Sequence, residues 1–446
     1  MKLATETVEK NLPTTASERG LFPIIGKAAG DISLRFVLVY LFLESWIWLD
    51  ELVVNPTRPI RPVFNAIFGG LARWFGRHIF HLSGPIESKK LHDSVYMYLV
   101  LFSVLVVSAL VTIIWLAWDR RGRTVGRAYG LMRIWIRFGL AYMVLIYALD
   151  KVFRIQFTAP GPMRLIESYG ESSPMALMWT FVGYSGFFTV FSGVAEVSGS
   201  LLLFFRRTTP MGALVLTVLM TNVALMDFCY DVSVKMLALH FLLMSIFLLA
   251  HDTTRLLNVL ALNRPAPADE SGSLLWSGAS RRARYLVLAL KVLIVLYTIV
   301  PGPIRTYGAF KVMGPYAPQP PLYGLYEVTS FKANGAERPL LVNDSRLWRY
   351  LAVENSSQVF VKTMDNTVLT YDAKYDPIDH EIRMRRSDSG SPPEDLLISV
   401  LPNGGLSVTG QSGNNQVAVL LHSVDLSKFP LVSRGYHWVN EKSYWK

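Results

Sequence analysis

Cysteine is almost missing from this chain: one, Cys229, in 446 residues. A single thiol makes no intramolecular disulfide, no CxxC redox pair and no thiolate metal cluster. Charge is scarce as well, 17% of residues against 51% hydrophobic, outside the usual balance of a soluble domain. Residues 325–446 contain no GxSxG elbow, no phosphate-binding Walker loop, no HExxH and no paired acid–base motif, so the familiar hydrolytic and nucleotide chemistries have no foothold there. The polar start of the chain has no small-residue cleavage site after the first apolar run, and that run is expected to stay as a signal anchor.

The net charge of +11 raises nucleic acid as a partner, but its location argues otherwise. Residues 303–446 carry 15 Lys+Arg and 14 Asp+Glu, so nearly all the excess lies in residues 1–302. There it reads as membrane topology and not as a nucleic-acid footprint.

The greasy part divides into about seven apolar runs, at 34–54, 96–118, 130–149, 187–206, 210–227, 234–251 and 284–302. A run of roughly 20 residues crosses a hydrocarbon core about 30 Å thick. Asp119–Arg133 holds five arginines, and Arg206, Arg207, Arg255 and Arg264 fall on the same side by alternation. Segments 150–186 and 228–233 are poor in Lys and Arg. The positive-inside rule then predicts a cytoplasmic N-terminal segment (1–33) and an external C-terminal domain, in a chain expected in the bacterial inner membrane. The 55–95 connection, with six Lys+Arg, runs against this but is long enough to carry less weight.

Within 34–118, Val63, Ile67, Leu71, Trp74, Phe75, Ile79 and Leu82 recur at three- and four-residue steps. This predicts an interfacial amphipathic helix over 63–82, lying against the lipid bilayer. Residues 263–283 read as a Pro/Gly/Ser-rich cytoplasmic linker, 284–302 as the last span and 303–324 as a Pro-rich linker. From 325 to 446 the pattern changes to short alternating runs such as QVFVKTM and TVLTY around Asp365–Asn366, and DLLISVL and LSVTG around Pro402–Gly405. Seven or eight strands at this spacing predict an all-β barrel or sandwich.

The order GVAE, RRTT, MTNV and YDVSVK between Arg137 and Pro265 resembles the DoxX-like family of integral membrane proteins. The ending RGYHWVNE is similar to the tail of a longer DoxX-like form with an external domain. The resemblance implies a four-helix membrane core over 130–262 and a place in a quinone-linked redox assembly. Three further spans and a β domain depart from it.

Ionisable groups inside such spans are functional candidates. Counted from span ends, Glu196, Asn222 and His240 lie about 13, 8 and 9 Å below the outer face. They are expected to form one polar layer, with Asp227 at its mouth. A quinone headgroup needs hydrogen-bond donors, a proton acceptor and an aromatic wall. Asn222 and His240 are candidate donors, Glu196 or Asp227 the acceptor, and Tyr147 and Phe187 the wall. Haem is disfavoured, because only His240 is deep enough to ligate it. His78 and His81 stand three residues apart without a visible third metal ligand. The competing reading makes Glu196 and Asn222 interhelical glue and Asp231–Lys235 a capping pair at a helix start. In that reading the chain is a non-catalytic envelope protein whose β domain binds a lipid, a small apolar ligand or a protein partner.

Overall fold

The structure is a computed structural model describing residues 21–52, 61–86, 93–266 and 280–282, scattered positions between 285 and 296, and 300–442 apart from 342–343, 377–380, 388–393 and 403. The helices are α1 (Leu21–Leu52), α2 (Arg61–His78), α3 (Val95–Trp118), α4 (Val125–Val152), α5 (Pro162–Leu165), α6 (Pro174–Tyr184), α7 (Gly186–Phe204), α8 (Thr209–Cys229), α9 (Lys235–His251), α10 (Thr253–Leu260), α11 (Pro301–Met313) and α12 (Pro430–Ser433). They and nine strands form two compact units. The first holds Met1–Leu145, Ser198–Cys229 and Ser233–Thr298; the second holds Ile146–Val197, Tyr230–Val232 and Ile299–Lys446.

The first unit is helical. α3 contains no charged residue over 24 positions, and its most apolar 18-residue stretch has a mean hydropathy of 2.8. Ser94 starts it, its Oγ accepting from Met97 N at 3.3 Å. Asp119 ends it, and its carboxylate accepts from Thr124 N at 2.8 Å and Thr124 Oγ1 at 2.5 Å, which also begins α4. Those bonds hold the Asp119 carboxyl below the usual carboxylate range. Arg35 on α1 is fully buried and donates to the Asp119 carbonyl at 2.8 Å, with its guanidinium over the Trp115 ring. α1 is thereby tied to the end of α3.

Among the described residues, four helices are long and apolar enough to cross a membrane: α3, α4, α7 and α8. Counting the bent pair α9–α10 as one span makes five. The described residues do not support the expected count of about seven spans. The 234–251 run folds as a 17-residue helix followed by a 73° bend. The run from 34 belongs to the longer α1, which starts at Leu21, carries Lys27, Asp31, Arg35 and Glu44, and is not one of the four. Most of 284–302, the linker 267–279 and residues 1–20 lie outside the described residues. Helix α2 covers most of the expected 63–82 stripe. Phe68 and Ala72 are buried while Val63, Ile67 and Trp74 stay exposed, so the apolar surface faces two ways.

The second unit contains the C-terminal domain, and it is a barrel. Strands β1 (Gly324–Ala333), β3 (Trp348–Val353), β4 (Gln358–Thr363), β5 (Val368–Asp376), β6 (Glu381–Arg386), β7 (Glu394–Val400), β8 (Leu406–Ser412) and β9 (Asn415–Val424) pair antiparallel in order. β9 returns to β1 from Leu325↔Val424 to Ala333↔Val417, which closes the ring. A short β2 (Ala336–Arg338) folds back on β1 through Asn334–Gly335, both with positive φ, as an Asn-Gly hairpin turn requires. The Asp365–Asn366 turn is present, with Asn366 at φ +69°.

Eight strands enclose a space that side chains can fill. Here Leu351, Val359, Val361, Met384, Ile398, Val408 and Val419 fill it and are fully buried. The polar group inside is satisfied: Glu394 accepts from Tyr371 Oη at 2.6 Å and Ser412 Oγ at 3.0 Å, with Arg386 at 3.4 Å.

Two features of this unit differ from the sequence reading. Residues 301–313 form helix α11, with Pro301 and Pro303 in its first turn where proline is tolerated, so the Pro-rich linker starts only at Gly314. The segment after α4 also packs on the barrel wall. Glu354 accepts from Met163 N at 2.7 Å, Lys362 Nζ donates to the Ile166 carbonyl at 3.1 Å, and Asn366 Nδ2 donates to Glu171 at 3.1 Å.

Candidate functional site

The GVAE sequence has a structural reason. A Cβ on Gly193 would stand 2.8 Å from Val152 N and 2.9 Å from the Ala148 carbonyl. Glycine therefore lets the α7 backbone lie directly on α4. One turn on, Glu196 forms a buried ion pair with Lys151, the two residues being 1% and 5% exposed. Lys151 Nζ also lies 5.7 Å from the centre of the Tyr147 ring. Only one Glu196 oxygen is engaged: Oε2 is buried with no hydrogen-bond partner among the described residues.

A second cluster forms in the first unit around His240. Its Nδ1 lies 2.6 Å from the Met236 carbonyl, an acceptor, so Nδ1 carries a proton. In the neutral ring Nε2 is then an acceptor, and Tyr40 Oη donates to it at 2.6 Å. Glu44, one turn along α1, is fully buried and bonded to Trp48 Nε1. Its Oε1 is 3.5 Å from His240 Nδ1, while its Oε2 has no partner among the described residues.

The residues of the expected layer, Glu196, Asn222 and His240, have the following surroundings. Glu196 belongs to the second unit and pairs with Lys151; His240 belongs to the first and pairs with Tyr40; Asn222 is exposed on α8. Asp227 is buried, Tyr147 flanks the Lys151–Glu196 pair, and Phe187 is 84% exposed. The first N–H groups of α9 are accepted by Asp93, from Lys235 N at 2.7 Å and Met236 N at 3.2 Å, and Asp231 sits in a left-handed turn. No group of three His, Cys, Asp or Glu suited to a metal occurs among the described residues. His78 Nδ1 instead lies 3.0 Å from the Trp74 carbonyl.

Sequence reasoning missed Tyr40, Glu44 and Trp48 as a group. Their spacing of four residues, with an acid between two aromatic donors on one helix face, was the available signal. Lys151 as the partner of Glu196 had no local signal.

Two cavities are walled by described residues of the second unit. One cavity of about 630 Å³ sits where the 163–176 segment meets the barrel, walled by Arg164, Glu171, Glu354, Lys362 and Asp365 among others. Burial raises the Glu354 carboxyl above its ordinary value, and the bond from Met163 N partly offsets this. A second, of about 840 Å³, is walled by the start of α7, by Tyr323 and by the tail residues Arg434–His437 and Asn440.

These features define a helical protein, with four described helices long and apolar enough to span a membrane, that carries an eight-stranded antiparallel barrel. The chain belongs to the same family as the uncharacterized protein YwoB of Bacillus subtilis (strain 168), to which it is 30% identical over 133 residues, 30% of this chain and 82% of that protein. No family model and no solved structure matches the chain.

Proposed function

We propose that this protein is a DoxX-like membrane-anchored binding protein of the cell envelope, and that its ligand or partner is held by the second unit and not by the helical bundle. The observation that carries this reading is a contrast in access. Lys151 pairs with Glu196, and His240 lies against Tyr40 and Glu44, whereas two cavities among the described residues have polar walls in the unit that contains the barrel. The barrel interior is packed by its own side chains, so binding belongs on its outer wall.

In this reading the chain sits in the inner membrane with its N-terminus in the cytoplasm and the barrel outside. Charge supports that orientation. Arg120, Arg121, Arg123 and Arg127 lie between or at the facing ends of α3 and α4, and Arg206 and Arg207 lie between α7 and α8; all belong to the first unit. The connections poor in cations, after α4 and around Tyr230–Val232, group with the barrel in the second.

The test places photo-crosslinking residues at Val368 and Tyr436, one on each cavity wall, and at buried Val144 as a control, in living cells. Adducts at a wall position and none at Val144 are expected, with quinol-dependent electron transfer unchanged in Glu196→Gln membranes. Absence of adducts at both walls sinks the reading.

A second reading, a subunit of a quinone-linked redox assembly, is favoured by the unpartnered Oε2 atoms of Glu44 and Glu196, each placed to exchange a proton. Loss of quinol-dependent electron transfer in Glu44→Gln or Glu196→Gln membranes selects it.

A further inference from the structure

The two cavities of the second unit differ in charge. The one beside the 163–176 segment has Glu167, Glu171, Glu354 and Asp365 in its wall with Arg164 and Lys362. Its four carboxylates outnumber its two cations, and Arg164 and Lys362 face Glu167 and Glu171. The larger cavity has Arg434 and His437 and no carboxylate among its wall residues. Its remaining polar wall, Tyr184, Ser185, Gln319, Tyr323, Tyr436 and Asn440, is composed of neutral hydrogen-bonding groups, and Asn440 Oδ1 accepts from Arg434 at 3.0 Å.

Position and surroundings narrow the occupant. Ser185 and Gly186 in its wall begin α7, one of the four helices able to cross a membrane. Around the same end of α7, Phe181 and Phe187 are 65% and 84% exposed; on the tail, Tyr436 and Trp438 are 81% and 86% exposed. Exposed aromatics at a span end, beside cations, are the composition of the headgroup layer of a bilayer. A free aqueous site has no need of an aromatic collar that water solvates poorly.

We infer that the cavity between the start of α7 and the Arg434–Asn440 tail holds the phosphate-bearing headgroup of an anionic membrane lipid. Arg434 and His437 supply the positive potential, the tyrosine hydroxyls and amides supply donors, and the exposed aromatics form a collar at headgroup level. This deepens the binding reading above by naming the ligand class of one of its two cavities, and it rests on that reading.

The test uses the full chain in nanodiscs containing phosphatidylglycerol and phosphatidylcholine, with retained lipid read by native mass spectrometry. Wild type is expected to retain phosphatidylglycerol above its bulk share. Arg434→Gln/His437→Gln is expected to lower that enrichment about tenfold, the size of a lost charge-assisted contact, and high salt to lower it further in wild type. Ser185→Glu, which adds a carboxylate to the wall without touching the tail, should act in the same direction and guards against a tail variant that misfolds.

No enrichment in wild type, or enrichment unchanged in both variants, overturns the inference. So does tight binding of glycerol phosphate without lipid, which assigns the site to a soluble anion. Crosslinks at Tyr436 or Val368 with no lipid enrichment leave the binding reading standing and remove only the lipid; absence of both removes both.

Discussion

The helices and the interior of the barrel treat buried polar groups in opposite ways. Inside the barrel, Glu394 is surrounded by Tyr371, Ser412 and Arg386, and the carboxylate is spent on structure. Around His240, Glu44 keeps a buried oxygen without a partner among the described residues. Glu196, on a candidate span though in the barrel's unit, does the same. A core built for stability satisfies its polar groups completely. A helix bundle that leaves two carboxylate oxygens unmet carries a cost there, and that cost marks where the sequence is constrained by something besides packing.

The largest expected effect comes from breaking the ion pair. Lys151→Met leaves Glu196 buried without its counter-charge and should cost about 3–5 kcal/mol, read as thermal unfolding of the detergent-solubilised protein. Lys151→Met with Glu196→Leu should restore most of that loss, since an apolar pair of similar volume often replaces a buried ion pair without penalty. A neutral single variant would remove the distinction between the two regions.

The barrel gives the next largest effect. Glu394→Leu leaves the Tyr371 hydroxyl buried and unmet and should cost about 1–3 kcal/mol, whereas Glu394→Gln keeps an acceptor and costs less. If the two substitutions are equal, the carboxylate charge matters and the purely structural account of the barrel fails.

Tyr40→Phe should cost about 1 kcal/mol, the worth of a neutral hydrogen bond, and leave His240 Nε2 without its donor. Tyr40→Phe combined with His240→Phe should cost less than the sum of the singles, measured as a double-mutant cycle. Additivity would mean that the two rings do not act together.

The smallest effect is a pH dependence confined to the seam where the 163–176 segment meets the barrel. The folded Glu354 carboxyl is raised above the unfolded one by burial, so in that window the folded state binds more protons and stability falls as pH rises. The seam is most secure below the ordinary glutamate range and loosens as pH climbs through the raised value. Hydrogen exchange at Met163 N, which donates to Glu354, should quicken over that rise, and Glu354→Gln should flatten the profile. Exchange that slows with rising pH, after correction for the intrinsic rate, would reverse the assignment.

Legibility tracked the range of the interaction. α3, α7 and α8 stand within a residue or two of the apolar runs, because a lipid-spanning helix is announced by local composition. The Asp365–Asn366 and Pro402–Gly405 turns fell between alternating strands as expected. α9 ends at His251, where the 234–251 run ends and the chain turns polar through His251–Arg255; the 73° angle into α10 was not legible, since local composition sets no direction. Nor was the Asp93 cap of α9, since capping was assigned to the neighbouring Asp231 while the observed donor–acceptor pair spans 142 residues.

The amino-acid order alone therefore determined which segments are apolar helices and which are paired strands, because both depend on periodicity within a few residues. It also held the glycine that lets α7 meet α4. Only the tertiary structure decided that Glu196 meets Lys151 45 residues away, that His240 meets Tyr40 200 residues away, and that β9 returns to β1 to make a barrel. Partners at such distances are chosen by which faces remain to be buried once the local elements exist, and that choice is written in no single stretch of the chain.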